Sequence, residues 1–149
     1  MDLLKLALDW AIVGDDEPVP LADRPAVRET TQATDPDAIL RGWVHVITTI
    51  ASRIEGLSAA LLAAAAADDE AQQLWQQAQA QRLTGARAFV AHLAANAHLR
   101  PGLSLEHAAD IAWLHSDPAT YRRLVVERGW PNEHFEQWLF QTIKQQLLS

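Results

Sequence analysis

Six histidines and nineteen carboxylates are the side chains here that could hold a metal or move a proton. Their spacing does not assemble them. His92 and His98 lie six residues apart, which sets them on different faces of one helix. His107 and Asp110, three apart, share a face, but two ligands do not complete a zinc site, and no HExxH occurs. The carboxylate pairs Asp68/Asp69 and Glu133/Glu136 fall at expected helix starts, where the helix dipole accounts for them. There is no glycine-rich phosphate loop and no GxSxG elbow, and Ser, His and Asp nowhere take the spacing of a triad. The absence of cysteine removes disulfide frameworks, thiolate zinc sites and cysteine nucleophiles together. The expectation is a protein that is not an enzyme, with no catalytic residues, no metal and no cofactor.

The six tryptophans say more. Core packing is the plain reading of each, because an indole buries a large apolar surface. The sharper reading is that some line a pocket between helices or a face that meets a partner, both places where aromatics collect. On that reading the pocket candidates are Trp43, Ile47, Ile50, Trp75, Gln81, Phe89 and Trp113. Gln81 is the kind of sparse polar group that orients a ligand in an apolar cavity. The candidates for a dimer face are Ile111, Phe135, Trp138, Leu139 and Thr142.

These residues must be positioned by helices. Residues 2 to 13 place Leu3, Leu6, Ala7, Trp10 and Ile12 near helical spacing, until Gly14 and the Asp15 to Pro20 segment stop them. A polar, turn-rich stretch to Thr34 has room for one short helix at 25 to 29. Asp35-Pro36 is a helix start, with Asp as cap and Pro in the first turn. Leu40, Trp43, Val44, Ile47, Ile50, Ala51 and Ile54 then form one stripe. The reading is one helix to about residue 53, a bend at Gly56 and a second run over 57 to 67. A long helix follows over 69 to 97, ended by Leu99-Arg100-Pro101-Gly102. Ser104 caps a helix over 105 to 115, Asp117-Pro118 opens one through 127, and Gly129-Trp130-Pro131 separates it from a last amphipathic helix over 132 to 147. No alternating segment or Asn-Gly hairpin occurs, so the fold class is all-α. At 149 residues the chain reads as a single domain that buries about two-thirds of its unfolded surface.

Charge narrows the partners. The net charge is −7, and the twelve Lys and Arg are scattered, Arg122-Arg123 being the one adjacent pair. Nucleic-acid binding draws most of its affinity from cations that neutralise phosphates, so this chain alone is not expected to bind DNA or RNA. The longest strongly apolar stretch, 57 to 67, is about half the length of a membrane span. No basic region followed by a small-residue cleavage site opens the chain. A cytoplasmic protein without membrane contact is expected.

One stretch is specific enough to suggest kinship: Leu99-Arg100-Pro101-Gly102-Leu103-Ser104, Glu106 and Ala108-Ala109-Asp110, then Ser116-Asp117-Pro118, Tyr121 and Leu124-Val125-Val126-Glu127-Arg128-Gly129-Trp130. With Ala65 to Ala71, Gln81-Arg82-Leu83, Ile111 to Leu114 and Phe135 to Leu139, it resembles the C-terminal domain of TetR-family transcriptional repressors, and looser likeness extends over nearly the whole chain. The resemblance implies a bundle of about six to seven helices that binds a small apolar effector and forms a homodimer. It places the dimer helices at 105 to 115 and 132 to 147, and the effector cavity among 38 to 54, 70 to 97 and 105 to 115. The helix-turn-helix with which family members begin, the type whose second helix enters the major groove, is absent from this sequence. The expectation is therefore a ligand-responsive regulatory domain that cannot grip an operator by itself. The alternative is a stand-alone interaction protein that forms mixed dimers with full-length relatives.

Overall fold

The computed structural model describes residues 32–149, so the expected helices at 2 to 13 and 25 to 29 lie outside the described residues. Five α-helices follow: α1 (Pro36–Ala65), α2 (Asp69–Asn96), α3 (Leu105–His115), α4 (Pro118–Tyr121) and α5 (Asn132–Leu147). No strand forms among the described residues. One antiparallel bridge pairs Leu99 with Leu148, and Arg100 N–H donates to Leu147 O at 2.8 Å, which ties the chain's last residues to the turn after α2.

The starts of the first four helices follow local chemistry. The side chains of Asp35, Asp68, Ser104 and Asp117 accept from Ala38, Glu70, His107 and Ala119 N–H, and proline fills the first turn of α1 and α4. The two glycines of the connecting turns, Gly102 and Gly129, take φ of 81° and 76°, where a side chain would be strained.

Two boundaries differ from the sequence reading, and with them the helix count among the described residues. Gly56 does not bend the chain: α1 runs unbroken for 30 residues. The stripe Ile50, Ile54, Leu57, Leu61 and Ala64 keeps helical register straight across Gly56, and it packs against Ala71, Leu74 and Trp75 of α2. Continuous burial along one face outweighs the roughly 1 kcal/mol by which glycine disfavours a helix. The segment expected as one helix to 127 splits instead, α4 giving way to a π-helical turn over Arg122–Glu127. That wider turn brings Leu124 and Val125 against the core while the Arg122 guanidinium reaches the Glu55 carboxylate on α1.

The apolar residues form two clusters. The larger joins α1, α2, α3 and α5 around Leu40, Val44, Val90, Leu93, Ala109 and Ile143, with Tyr121 from α4. The smaller joins only the far half of α1 to the start of α2. As one continuous helix α1 is long and apolar enough to cross a membrane by length and composition, which corrects the shorter span read from residues 57 to 67. The core helix of a soluble protein meets the same test.

Because a Cβ added at Gly56 meets nothing within 4 Å, Gly56→Ala should stabilise the fold by about 0.5–1 kcal/mol in urea unfolding. A loss of stability would mean that α1 does bend there.

Candidate functional site

The seven pocket candidates divide between the two apolar clusters and the surface. Trp43 of α1 and Phe89 of α2 stack face to face, with ring centroids 4.1 Å apart and planes 6° from parallel. They fill the space between their helices with each other. Ile47 packs beside them on the larger cluster, whereas Ile50 and Trp75 belong to the smaller one. Gln81 is exposed and so faces no cavity, for the half-polar stripe of α2 turns that position outward. Trp113, on α3, packs against the larger cluster as well.

The dimer candidates also divide. Phe135 and Leu139, at 1% and 0% exposure, are closed into the protomer's own core, because α5 spends its most apolar face on α1 and α3. They have no surface left to offer a partner and drop out of the expected interface. Ile111, Trp138 and Thr142 remain partly exposed. Trp138 rests edge-on against Trp130 at 5.9 Å and beside Phe135 at 5.8 Å. Leu105 and Leu114, which the periodicity did not single out, are the exposed leucines of α3.

A cleft of about 300 Å³ does open, between α1 and the start of α5, over Val44 and Phe140. Arg41, His45, Glu133, Glu136 and Gln137 surround that apolar floor. Arg41 lies 4.0 Å above the Phe140 ring, and His45 Nδ1 sits 3.1 Å from Glu136 Oε1. No sequence signal joins His45 to Glu136, which are 91 residues apart.

The densest polar cluster is at the α2–α3 contact. The two helices run side by side and are fastened at both ends of α3. At its start, Arg87 donates through Nε and Nη2 to the two Glu106 oxygens, at 3.0 and 3.1 Å. That bond holds the Glu106 carboxyl below the usual carboxylate range, the charge of Arg87 adding to it. At its end, Arg82 Nη1 donates to Trp113 O at 2.8 Å and Ser116 Oγ at 2.9 Å, and Nη2 donates to Gln79 Oε1 at 2.6 Å. A cation thereby meets the carbonyls left over at a helix C-terminus, which its charge also suits. The Arg82 side chain is only 17% exposed and its nearest carboxylate oxygen, on Asp117, is 3.9 Å away. Burial pushes the guanidinium pKa down, and Asp117 offsets part of that. Two donors in this cluster, Arg82 Nε–H and the Trp113 indole N–H, are buried and find no acceptor among the described residues.

Arg82 was not among the expected site residues, yet a signal pointed to it: between Ala71 and Ala86 it is the one charged residue of α2. Among the described residues no group of three or more His, Cys, Asp or Glu could hold a metal ion. No protein-family model, curated protein or solved structure matches this chain.

Beside the cluster, Tyr121 O–H donates to Asn132 Oδ1 at 2.6 Å, closing α4 onto α5. Burial pushes its pKa up. The neutral phenol therefore contributes stability that is complete below the ordinary tyrosine value of about 10 and is lost as pH rises through the folded-state pKa. Tyr121 is the chain's one tyrosine, so phenolate absorbance reads it alone. The folded protein should titrate above free tyrosine and Tyr121→Phe should remove the transition. A titration at or below the free value would contradict this environment.

Proposed function

We propose that this chain is the effector-binding and dimerisation domain of a TetR-type transcriptional repressor, responsive to a small ligand and without an enzymatic role. The observation that carries the reading is the packing of α2 between α1 and α3. These are the helices to which the resemblance assigns an effector cavity, and here α1 lies on α2 and α2 on α3. The residues that carry the resemblance also form one continuous structural unit. Gly102 turns the chain, Ser104 caps α3, Asp117-Pro118 opens α4 and Gly129 turns it again into α5. A run of matching residues scattered over unrelated surfaces would not support the reading in this way.

The mechanism is a population shift. A ligand that binds better to one arrangement of two subunits favours that arrangement by its difference in affinity, and no more. The face for a second copy is the outer side of α5 with the end of α3: Ile111, Leu114, Trp138 and Thr142 are exposed or half-buried, whereas Phe135 and Leu139 of α5 are buried.

Light scattering tests the assembly. The wild-type chain should run at twice its 16.5 kDa mass, and Leu114→Glu should run as a folded monomer, because a buried unpaired charge opposes association by several kcal/mol. Phe135→Asp should lose helical signal instead of merely separating subunits, since its ring lies inside the protomer. A monomeric wild type at micromolar concentration would overturn the dimer, and an unchanged mass for Leu114→Glu would move the interface off α3.

A further inference from the structure

Arg82 has five N–H donors, and its surroundings do not hold enough acceptors for them. Trp113 O already takes Arg82 Nη1 and the Ser116 hydroxyl, and Asp117 Oδ1 is occupied capping Ala119 N–H. Gln79 Oε1 takes Nη2. What remains is the second Nη2 hydrogen, whose nitrogen is 3.9 Å from Asp117 Oδ2, with Arg82 Nε–H and, on the neighbouring side chain, Trp113 Nε1–H, the last two on atoms with no partner at all. The guanidinium carbon lies 5.1 Å from the indole centroid, so both donors belong to one small contact. A buried donor without an acceptor costs about 1–3 kcal/mol, and here two occur together in the wall between two of the proposed cavity helices.

We propose that the α2–α3 junction is a carboxylate-binding site in which Arg82 Nε–H and Trp113 Nε1–H are the donors, and that the effector joins such an acid group to an apolar body. The proposal rests on the ligand-binding reading above and names the ligand's class. The shortage is of acceptors alone. A carboxylate brings two acceptor oxygens, no donor of its own and the negative charge that Arg82 lacks at closer than 3.9 Å. A hydroxyl or an amide would add a donor to a place already short of acceptors. The ring of Trp113 and the partly buried Ile111 of the same helix supply apolar surface for the rest of the molecule.

Proton–nitrogen correlation spectra of the full chain resolve the test, since each of the six indole N–H groups gives its own peak. Trp113→Phe, which keeps an aromatic ring and removes one donor, identifies the Trp113 peak. Benzoate and octanoate serve as a flat and a flexible acid, with benzamide, octanol and sodium chloride as controls. The expected result is a saturable shift of the Trp113 peak with an acid and not with the controls. The same acid should bind about tenfold more weakly to Trp113→Phe in calorimetry, the size of effect that losing one buried hydrogen bond produces. Arg82→Lys, checked for retained helix content, should also weaken binding, because lysine has no Nε–H at that position. Equal shifts with benzamide or octanol would overturn the acid assignment while leaving a ligand pocket in place. No saturable shift with either acid would mean that water alone answers these donors, and the site would be withdrawn. Dimerisation stands or falls separately, on the mass measurement.

Discussion

The continuity of α1 is the constraint on which the rest of this structure depends. One helix of 30 residues supplies a wall to both apolar clusters, and it touches α2, α4, α5 and the π-helical turn. Its first half buries Ile39, Leu40 and Val44 in the larger cluster, and its second half buries Ile54 and Leu61 in the smaller. Helix formation is cooperative, so a break near Gly56 would not only lose a hydrogen bond or two. It would uncouple the α1–α2 hairpin from the part of the molecule that carries α3 and α5.

The second organising contact is Arg82. Apolar packing alone would let α3 slide along α2, because alanines line much of the buried face of α3: Ala108, Ala109 and Ala112. Small residues allow close approach but give little registration. The bidentate Arg87–Glu106 pair and the Arg82 bonds to Trp113 and Ser116 set the register at the two ends of α3. The first pair is exposed and contributes little to stability. The second is shielded from water and therefore carries more of the fastening. The same residue that orders α3 also leaves the unanswered donors, so the structural and the proposed ligand-binding roles of Arg82 are linked through one guanidinium.

Much of the fold was legible in the sequence. Asp35, Asp68, Ser104 and Asp117 marked four helix starts, and α3 and α5 were placed to the residue, since caps and turn glycines are local signals. Gly56 looks like a bend by residue type alone, but the apolar stripe on either side of it is in phase. The π-helical turn at Arg122–Glu127 has no sequence signature, for it arises from the Arg122–Glu55 contact and from the packing of Leu124 and Val125. The site was less legible than the fold. Periodicity marks which residues turn inward, not which inward residues fill one another's space, so Trp43 and Phe89 read as pocket lining although they stack. Phe135 and Leu139 failed as interface residues for a related reason: an apolar face on a last helix serves a protomer core and a partner surface equally well in sequence.

The functional reading unites these elements. The shared wall α1 holds α2, and α2 registers α3; the proposed dimer adds a second copy on the outer side of α5. All of it requires that α1 behave as one rod. Amide hydrogen exchange measured residue by residue tests that most directly. The account predicts unbroken protection from Val44 to Leu61, with Gly56 and Leu57 exchanging on the same slow scale as their neighbours. Fast exchange confined to residues 55–58, between two protected stretches, would show two independent helices and contradict it.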